Sequence, residues 1–380
     1  MTRRGRAWAL LPLAATAAFA FGALAWTSGA RAAEARAGAG AVDVAAFLES
    51  LGDRGFAAPQ GPWVLSLPAD HGGHDAARME SWAISAHLRD AQGRPAGVQV
   101  TLSRVGLRAE AGASPWTPSA LHVAQAARTG PGAEAAGEER LSRGSLGVAG
   151  HDGAAGEAWL DDWTLSWDPQ AGADGGALSL VATVEGAPVR LRLTPEKPAL
   201  AIDADGRGPA RGYAMPRMRV EGEIGAGEAR QAVSGLAWLD HLWGALPPPG
   251  GPVARDRLIL QLDDGTDLSL IRTRRRDGRG SEILDGVLAG PDGARRAIDG
   301  RGLSLTPTAR WQAPGGGRTY ALGYRIEGSG LALEVSPVLE DQRRDFAQPV
   351  WTGLVRVRGT NGGVAVEGLG SLATEGEESR

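Results

Sequence analysis

Short runs of alternating apolar and polar residues, separated by glycine-rich turns, limit most strongly how this chain of 380 residues can fold. Val98, Val100 and Leu102 alternate with Gln99, Thr101 and Ser103, and Val189, Leu191 and Leu193 with Arg190, Arg192 and Thr194. Val355 and Val357 do the same with Arg356 and Arg358. A two-residue period is that of a half-buried strand, because successive side chains leave opposite faces of a sheet. Turn signals recur between the runs, at Asp90 to Gly93, Asp263 to Gly265, Asp277-Gly278 and Pro291 to Gly293. Many short strands with such turns predict an all-β protein of antiparallel barrels or sandwiches and exclude alternating β/α units.

Two barrels in tandem are expected. The strand–turn–strand pattern of residues 87–104 returns at 260–274, each ending on arginine. Gly, Pro and Arg interrupt the patterning at 206–212, so the first domain is expected over 61–210 and the second over 211–372, with an acidic tail at 373–380. Residues 130–139 and 168–176 read as loops. Ahead of the barrels, Asp43 is a plausible N-cap for a short helix within 33–60. Residues 1–32 have a basic start, an apolar run and a small-x-small site at Ala30-Arg31-Ala32, the pattern of a secretory signal peptide. The apolar run is close to the ~20 residues that span a bilayer, so a retained anchor is the alternative. A periplasmic or secreted protein is expected either way.

Composition removes several classes. No cysteine is present, so disulfides and thiolate metal sites are excluded. A net charge of −4 gives no general attraction to nucleic acid. Twelve tryptophans against three tyrosines and five phenylalanines are the anomaly, since indoles at that density plug barrel ends or line a pocket.

Four segments carry candidate chemistry. In GLAWLDHLWG, Asp240 and His241 lie between Trp238 and Trp243. Along a strand 238 and 240 share one face, 241 and 243 the other. If the even face looks inward, Asp240 stands beside Trp238 inside a barrel. A desolvated carboxylic acid there could protonate a double bond, and the indole face would stabilise the resulting cation. The bland reading is an acid paired with arginine among core indoles. Glu80 and Trp82 form a second candidate, with Glu80 expected to pair with Arg78 or Arg104 or to face a ligand. Trp159, Asp161 and Trp163, on one face of a strand, form a third. The fourth, DHGGHD at 70–75, could supply metal ligands through His71 and His74 with His241 or His122 as a distant third, but it reads better as a structural loop, and neither a metal nor a cofactor is expected.

The ordered segments LPADHGGHDAARMESWAISAHLRDAQGRPAGVQVTLSR, ERLSRGSLGVAG, WLDDWTLSW, YAMPRMRVEG, SGLAWLDHLWG, LILQLDDGTDL and PVWTGLVRVRG, from Trp63 to Leu369, resemble the AttH family, which is related to CrtC-type carotenoid 1,2-hydratases. Where the family carries Arg-Thr-Glu-Trp-Trp-Tyr this chain has Arg78 to Ala83, without one indole and the phenol. Where the family has Asp-His-Glu-Trp-Gly, Leu242 replaces the carboxylate. The resemblance implies tandem lipocalin-like domains. It also implies an apolar or amphipathic small-molecule ligand, such as a lipid or isoprenoid, and service to an ATP-binding-cassette transport system. Trp238, Trp243, Glu80, Trp82, Trp159 and Trp163 are the expected ligand-binding residues. The alternative it implies is a cofactor-free hydratase with Asp240 as proton donor beside His241.

Overall fold

The computed structural model describes residues 55–377 apart from 57–58, 110–113, 115, 118, 131–133, 169, 172–175, 246–252, 276–279 and 316. The signal segment and the Asp43 helix lie outside the described residues.

The chain forms two curled antiparallel sheets of lipocalin-like character, each close to a barrel. The first contains β1 (Met79–Asp90), β2 (Pro95–Gly106), β3 (Ala120–Thr129), β4 (Ala135–Ser142), β5 (Ala149–Asp152), β6 (Glu157–Leu160), β7 (Trp163–Asp168), β8 (Ala177–Val184), β9 (Ala187–Pro195), β10 (Leu200–Ile202), β11 (Ala210–Ile224) and β12 (Gln231–Gly244). The second contains β13 (Val253–Leu262), β14 (Asp267–Arg275), β15 (Ile283–Ala289), β16 (Arg295–Asp299), β17 (Leu303–Gln312), β18 (Thr319–Gly328), β19 (Leu331–Pro337), β20 (Arg343–Arg344), β21 (Val350–Asn361) and β22 (Val364–Thr374).

The first sheet runs β4-β3-β2-β1-β12-β11-β9-β8-β7-β6-β5, and the second β16-β15-β14-β13-β22-β21-β19-β18-β17. Each therefore begins with a four-strand meander whose first strand pairs with the last strand of the same sheet. The repeat seen in sequence falls on equivalent hairpins, β1–β2 and β13–β14. Between β4 and β5 no ladder closes the first sheet. Side chains bridge that side: Arg140 pairs with Asp162 and lies 4.4 Å over the Trp163 ring, and the Gly137 amide donates to Glu185 at 3.1 Å.

Three expectations change. β11 and β12 complete the first sheet, so the domain boundary lies between Gly244 and Val253, not near Gly206 to Gly212. The glycine–proline stretch at 206–209 is the turn before a long return strand. At the C-terminal end, Glu377 bridges to Thr319, so the second barrel takes in part of the expected tail. Ala135 to Glu139, expected as loop, belongs to β4.

Both barrels are packed with side chains. Trp82, Trp163, Trp167, Trp243 and Tyr213 join leucines and valines inside the first, and Tyr320, Tyr324 and Trp351 inside the second. A third cluster, including Met79, Trp238, Leu242, Ile259 and Val287, cements one barrel to the other. Buried polar contacts pin this junction. Lys197, the single lysine in the sequence, reaches Asp267 at 2.6 Å, and Arg217 Nη2 meets the same carboxylate at 2.9 Å. Gln261 donates its amide to the Pro216 and Ala237 carbonyls, leaving its oxygen to accept from His87 Nδ1 at 2.8 Å.

Burial pushes the His87 imidazole down to about 4, with the Gln261 contact opposing only weakly. An unfolded chain takes up this proton near pH 6.5, so between 6.5 and 4 the unfolded state binds more protons, and stability falls as pH drops through that window. The difference corresponds to about 3 kcal/mol. His87→Gln should flatten this part of the curve, measured as urea-unfolding midpoints from pH 7 to 4. Equal slopes for variant and parent would rule the explanation out.

Candidate functional site

The register of β1 against β12 assembles the site. Glu80 lies opposite Trp243, and Trp82 opposite His241. Residues directly opposite in an antiparallel ladder share a face, so all four point the same way, into the mouth of the first barrel. Ahead of β1, the segment Asp70 to Asp75 folds over them. Gly72 and Gly73 allow this close approach, since a Cβ on Gly73 would lie 2.0 Å from His151 Nδ1.

Glu80 is fully buried and is the hub. It accepts the His74 amide at 3.0 Å on both oxygens, His74 Nδ1 at 2.8 Å, His241 Nε2 at 2.9 Å and Arg104 Nη2 at 3.4 Å. Burial alone would raise this carboxyl. The hydrogen bonds from His241 and His74, with the charges of His241 and Arg104, outweigh it and hold Glu80 well below the usual carboxylate range.

His241 is caged by aromatic rings. Trp82 stacks on it at 4.6 Å, Tyr213 meets it edge-on at 5.4 Å, and Trp243 lies 5.0 Å away. Its Nδ1 is 3.0 Å from the Asp70 carbonyl, which can only accept, so Nδ1 carries a hydrogen. Its Nε2 faces Glu80, so one further proton lies in that contact. Because three other donors, the His74 amide, His74 Nδ1 and Arg104, already favour the ionised carboxylate, that proton belongs mainly to the imidazole. Burial meanwhile pushes the imidazole below its ordinary value, against the hydrogen bond and charge of Glu80. A buried imidazolium made more acidic by desolvation and held on a carboxylate is a proton donor of adjustable strength.

The surrounding groups fix the pair. The His74 ring lies flat on Trp243, with centroids 3.7 Å apart and planes 4° from parallel, and its side chain is 23% exposed. Trp63 packs edge-on against Trp243 at 5.4 Å. The Tyr213 hydroxyl is 2.5 Å from His71 Nδ1; burial, with Asp70 and Glu80 nearby, raises this phenol well above its normal value, so it stays protonated and donates. His74, Glu80 and His241 also place three potential metal-ligating atoms within 4.8 Å of one another. Arg104 and the short contacts among these groups make the set a proton network first.

The predicted residues divide between two places. Glu80, Trp82, His241 and Trp243 come together. Asp240 and Trp238 do not join them: both project from the other face of β12 into the junction between barrels. There Asp240, opposite Ala83 in the ladder, is buried and pairs with Arg257 of β13 at 2.6 Å, while Trp238 is enclosed in the junction cluster. The assumption that the even face looks into the barrel was wrong, and the donor role expected for Asp240 loses its geometry. Trp159 and Trp163 also part. Asp161-Asp162 form a two-residue hairpin turn with φ 54° at Asp161, and Leu160 pairs with Trp163. Trp163 enters the core, whereas Trp159 lies outside and donates its indole N–H to the Gly147 carbonyl at 2.8 Å.

Tyr213 and Trp63 lie in the stretch that carries the family resemblance but were not among the expected site residues, and Arg104 was one of two partners considered for Glu80. Replacing Glu80 by Gln removes the negative charge that holds up the His241 imidazole and leaves only a neutral amide oxygen to accept from it. Its ring NMR signals should then titrate at lower pH than in the parent protein. Asp240→Asn should leave that titration unmoved yet cost about 3–5 kcal/mol of stability by stranding Arg257. A shift of His241 with Asp240→Asn and none with Glu80→Gln would contradict this assignment.

Comparisons with known proteins agree with the architecture. A search of curated protein sequences returned no match. Among solved structures, an AttH protein from Nitrosomonas europaea superposes with a TM-score of 0.70 at 23% identity, covering 83% of this chain and 99% of that one. Kievitone hydratase from Nectria haematococca superposes with a TM-score of 0.60 at 14% identity, covering 85% and 98%. The AttH-like family model matches residues 58–373, nearly the whole described chain, and the protein belongs to the AttH-like family.

Proposed function

We propose that this protein binds a small amphipathic molecule at the mouth of the first barrel and adds water across an apolar double bond, or eliminates water from an alcohol to form one. The observation that carries the reading is the buried 2.9 Å contact between His241 Nε2 and Glu80 inside an indole cage. The name of the hydratase neighbour supplies the reaction class, which is carried to this chain as part of the proposal.

In this reading His241 transfers its Nε2 proton to one alkene carbon, and Glu80 balances the charge that remains. The other carbon becomes cationic and faces Trp82 or Trp243, whose π-electrons stabilise positive charge. Water adds to that carbon and returns a proton to His241, so the net change is addition of one water. No cofactor is required. The ligand lies at the barrel mouth, where His74 is partly exposed, because the interiors expected to receive it are filled by side chains. The space between the barrels is a cleft of about 100 Å³, lined by Ile84, Arg257 and Ile259 among others, below the ~300 Å³ of typical ligand pockets. Export, and delivery to an ATP-binding-cassette transporter, enter this proposal from the N-terminal segment and the family resemblance alone.

The test is incubation of full-length protein with acyclic isoprenoids and prenylated phenols in ¹⁸O-water, with mass spectrometry of the products. Label should enter at least one substrate, and Glu80→Gln or His241→Asn should lower the rate by about 10²-fold or more. Asp240→Asn should stay active at temperatures where it is folded. Incorporation untouched by Glu80→Gln, or no incorporation into any alkene, would overturn the catalytic reading.

A further inference from the structure

Beside the Glu80 network lies a second cavity, of about 530 Å³, with a different character. Arg104, His122, Arg143 and His151 reach its wall from β2, β3, the β4–β5 connection and β5. Thr117, Ser119 and Ser145 add hydroxyls, and among the described residues Asp75 is the one carboxylate. Among the described residues, four potential cations face a single acid on this wall, itself 85% exposed at the rim and shared between His151 and Arg104. We infer that this cavity binds the oxyanion of an organic acid, a carboxylate or phosphate monoester, with Arg104, His122, Arg143 and His151 as its ligands.

Three observations support the assignment. Among the described residues, no hydrogen bond or ion pair occupies the His122 ring or the Arg143 guanidinium, although His122 is half-buried. A buried or half-buried polar group without a partner is costly unless a ligand or water satisfies it. The charges are also mutually unfavourable without a guest: burial first, then the positive charges of Arg104 and His151, push the His122 imidazole down to about 4. An oxyanion in their midst would reverse that repulsion. Finally, the volume suits an organic molecule, since ligand pockets run about 300–1,000 Å³.

The position ties this cavity to the neighbouring site. Arg104 lines the cavity and also reaches Glu80 at 3.4 Å, while His151 stands 6.2 Å from the Trp82 ring. A ligand with its acid group on Arg143 and His122 would extend its body past Arg104 toward Trp82 and His241. This part of the inference rests on the function proposed above and names its substrate class: an unsaturated amphipath with an anionic head.

Full-length protein is titrated with inorganic phosphate, acetate, decanoate and decyl phosphate at constant ionic strength, with binding read by calorimetry and by histidine ring NMR. At least one tailed anion should bind more tightly than its untailed counterpart, and the decanoate and decyl phosphate arms separate carboxylate from phosphate ligands. Binding should raise the pH at which His122 titrates. Arg143→Ala, at an exposed position, should weaken binding by about tenfold, His122→Gln should weaken it too, and Asp75→Asn should strengthen it. No binding by any of the four, or binding indifferent to these variants, would overturn the inference. Water addition to neutral alkenes without anion binding would overturn it while leaving the catalytic reading standing, and anion binding without water addition would do the reverse.

Discussion

The ladder between β1 and β12 is the constraint on which the rest of the molecule depends. It joins the beginning of the first sheet to its end, across about 140 residues of intervening chain. Its register also decides which side chains meet. With Glu80 opposite Trp243 and Trp82 opposite His241, one face of two adjacent strands supplies the acid, the imidazole and two indoles. A slip of one residue would move His241 and Trp243 into the junction and bring Asp240 and Leu242 to Glu80, because side-chain direction alternates strictly. The register is held from both sides. Trp238 and Leu242 pack against the second barrel on one face, and Leu239 and Trp243 enter the first core on the other.

That double burial explains what the sequence could and could not convey. Strands with one wet face, such as β9 with its alternating Arg190 and Arg192, announce their inward side. From Ala237 to Gly244 every residue is buried, and strands covered on both faces lose the alternation that reveals direction. An indole and an ionisable group stood on each face of β12, so parity could not be chosen without knowing that a second barrel covers one of them. The family resemblance gave the architecture and the Asp-His pair between indoles drew attention to Gly235–Gly244, but the resemblance assigned the proton-donor role to Asp240. Trp159 to Trp163 failed differently: an Asp-Asp turn with a left-handed residue was hidden in what looked like a continuous strand. The boundary near Gly206 was misplaced because local patterning stops there, whereas sheet membership is settled by pairing partners far away in sequence.

The junction that hides one face of β12 is unusually ionic for a buried surface. Asp240 with Arg257, and Asp267 with Lys197 and Arg217, are placed where water is scarce. Such pairs recover little net stability, because desolvation offsets most of their attraction, but separating one leaves a stranded charge. Their effect is on arrangement: misaligned barrels would bury unpaired ions, so one docking geometry is favoured over the alternatives that an apolar patch alone would permit. That geometry in turn fixes β12, and with it the distance between His241 and Glu80.

The repeat supplies an internal control for what makes the first barrel chemically distinct. In the second barrel Asp256 occupies a position related to Glu80: near the start of the first strand, opposite an arginine of the next. Glu80 faces Arg104 across β1–β2, and Asp256 faces Arg272 across β13–β14. Both carboxylates are fully buried, but their partners differ in kind. Asp256 is met by Arg272 at 2.9 Å, Arg274 at 3.3 Å and the Thr374 hydroxyl at 2.6 Å. Guanidinium groups stay charged at any physiological pH and do not give up a proton. Around Glu80, two of the partners are imidazoles, side chains able both to donate and to accept a proton. A related backbone arrangement thus surrounds a buried acid with guanidinium groups in one barrel and with imidazoles in the other, and the difference lies in histidine standing where the second barrel has arginine.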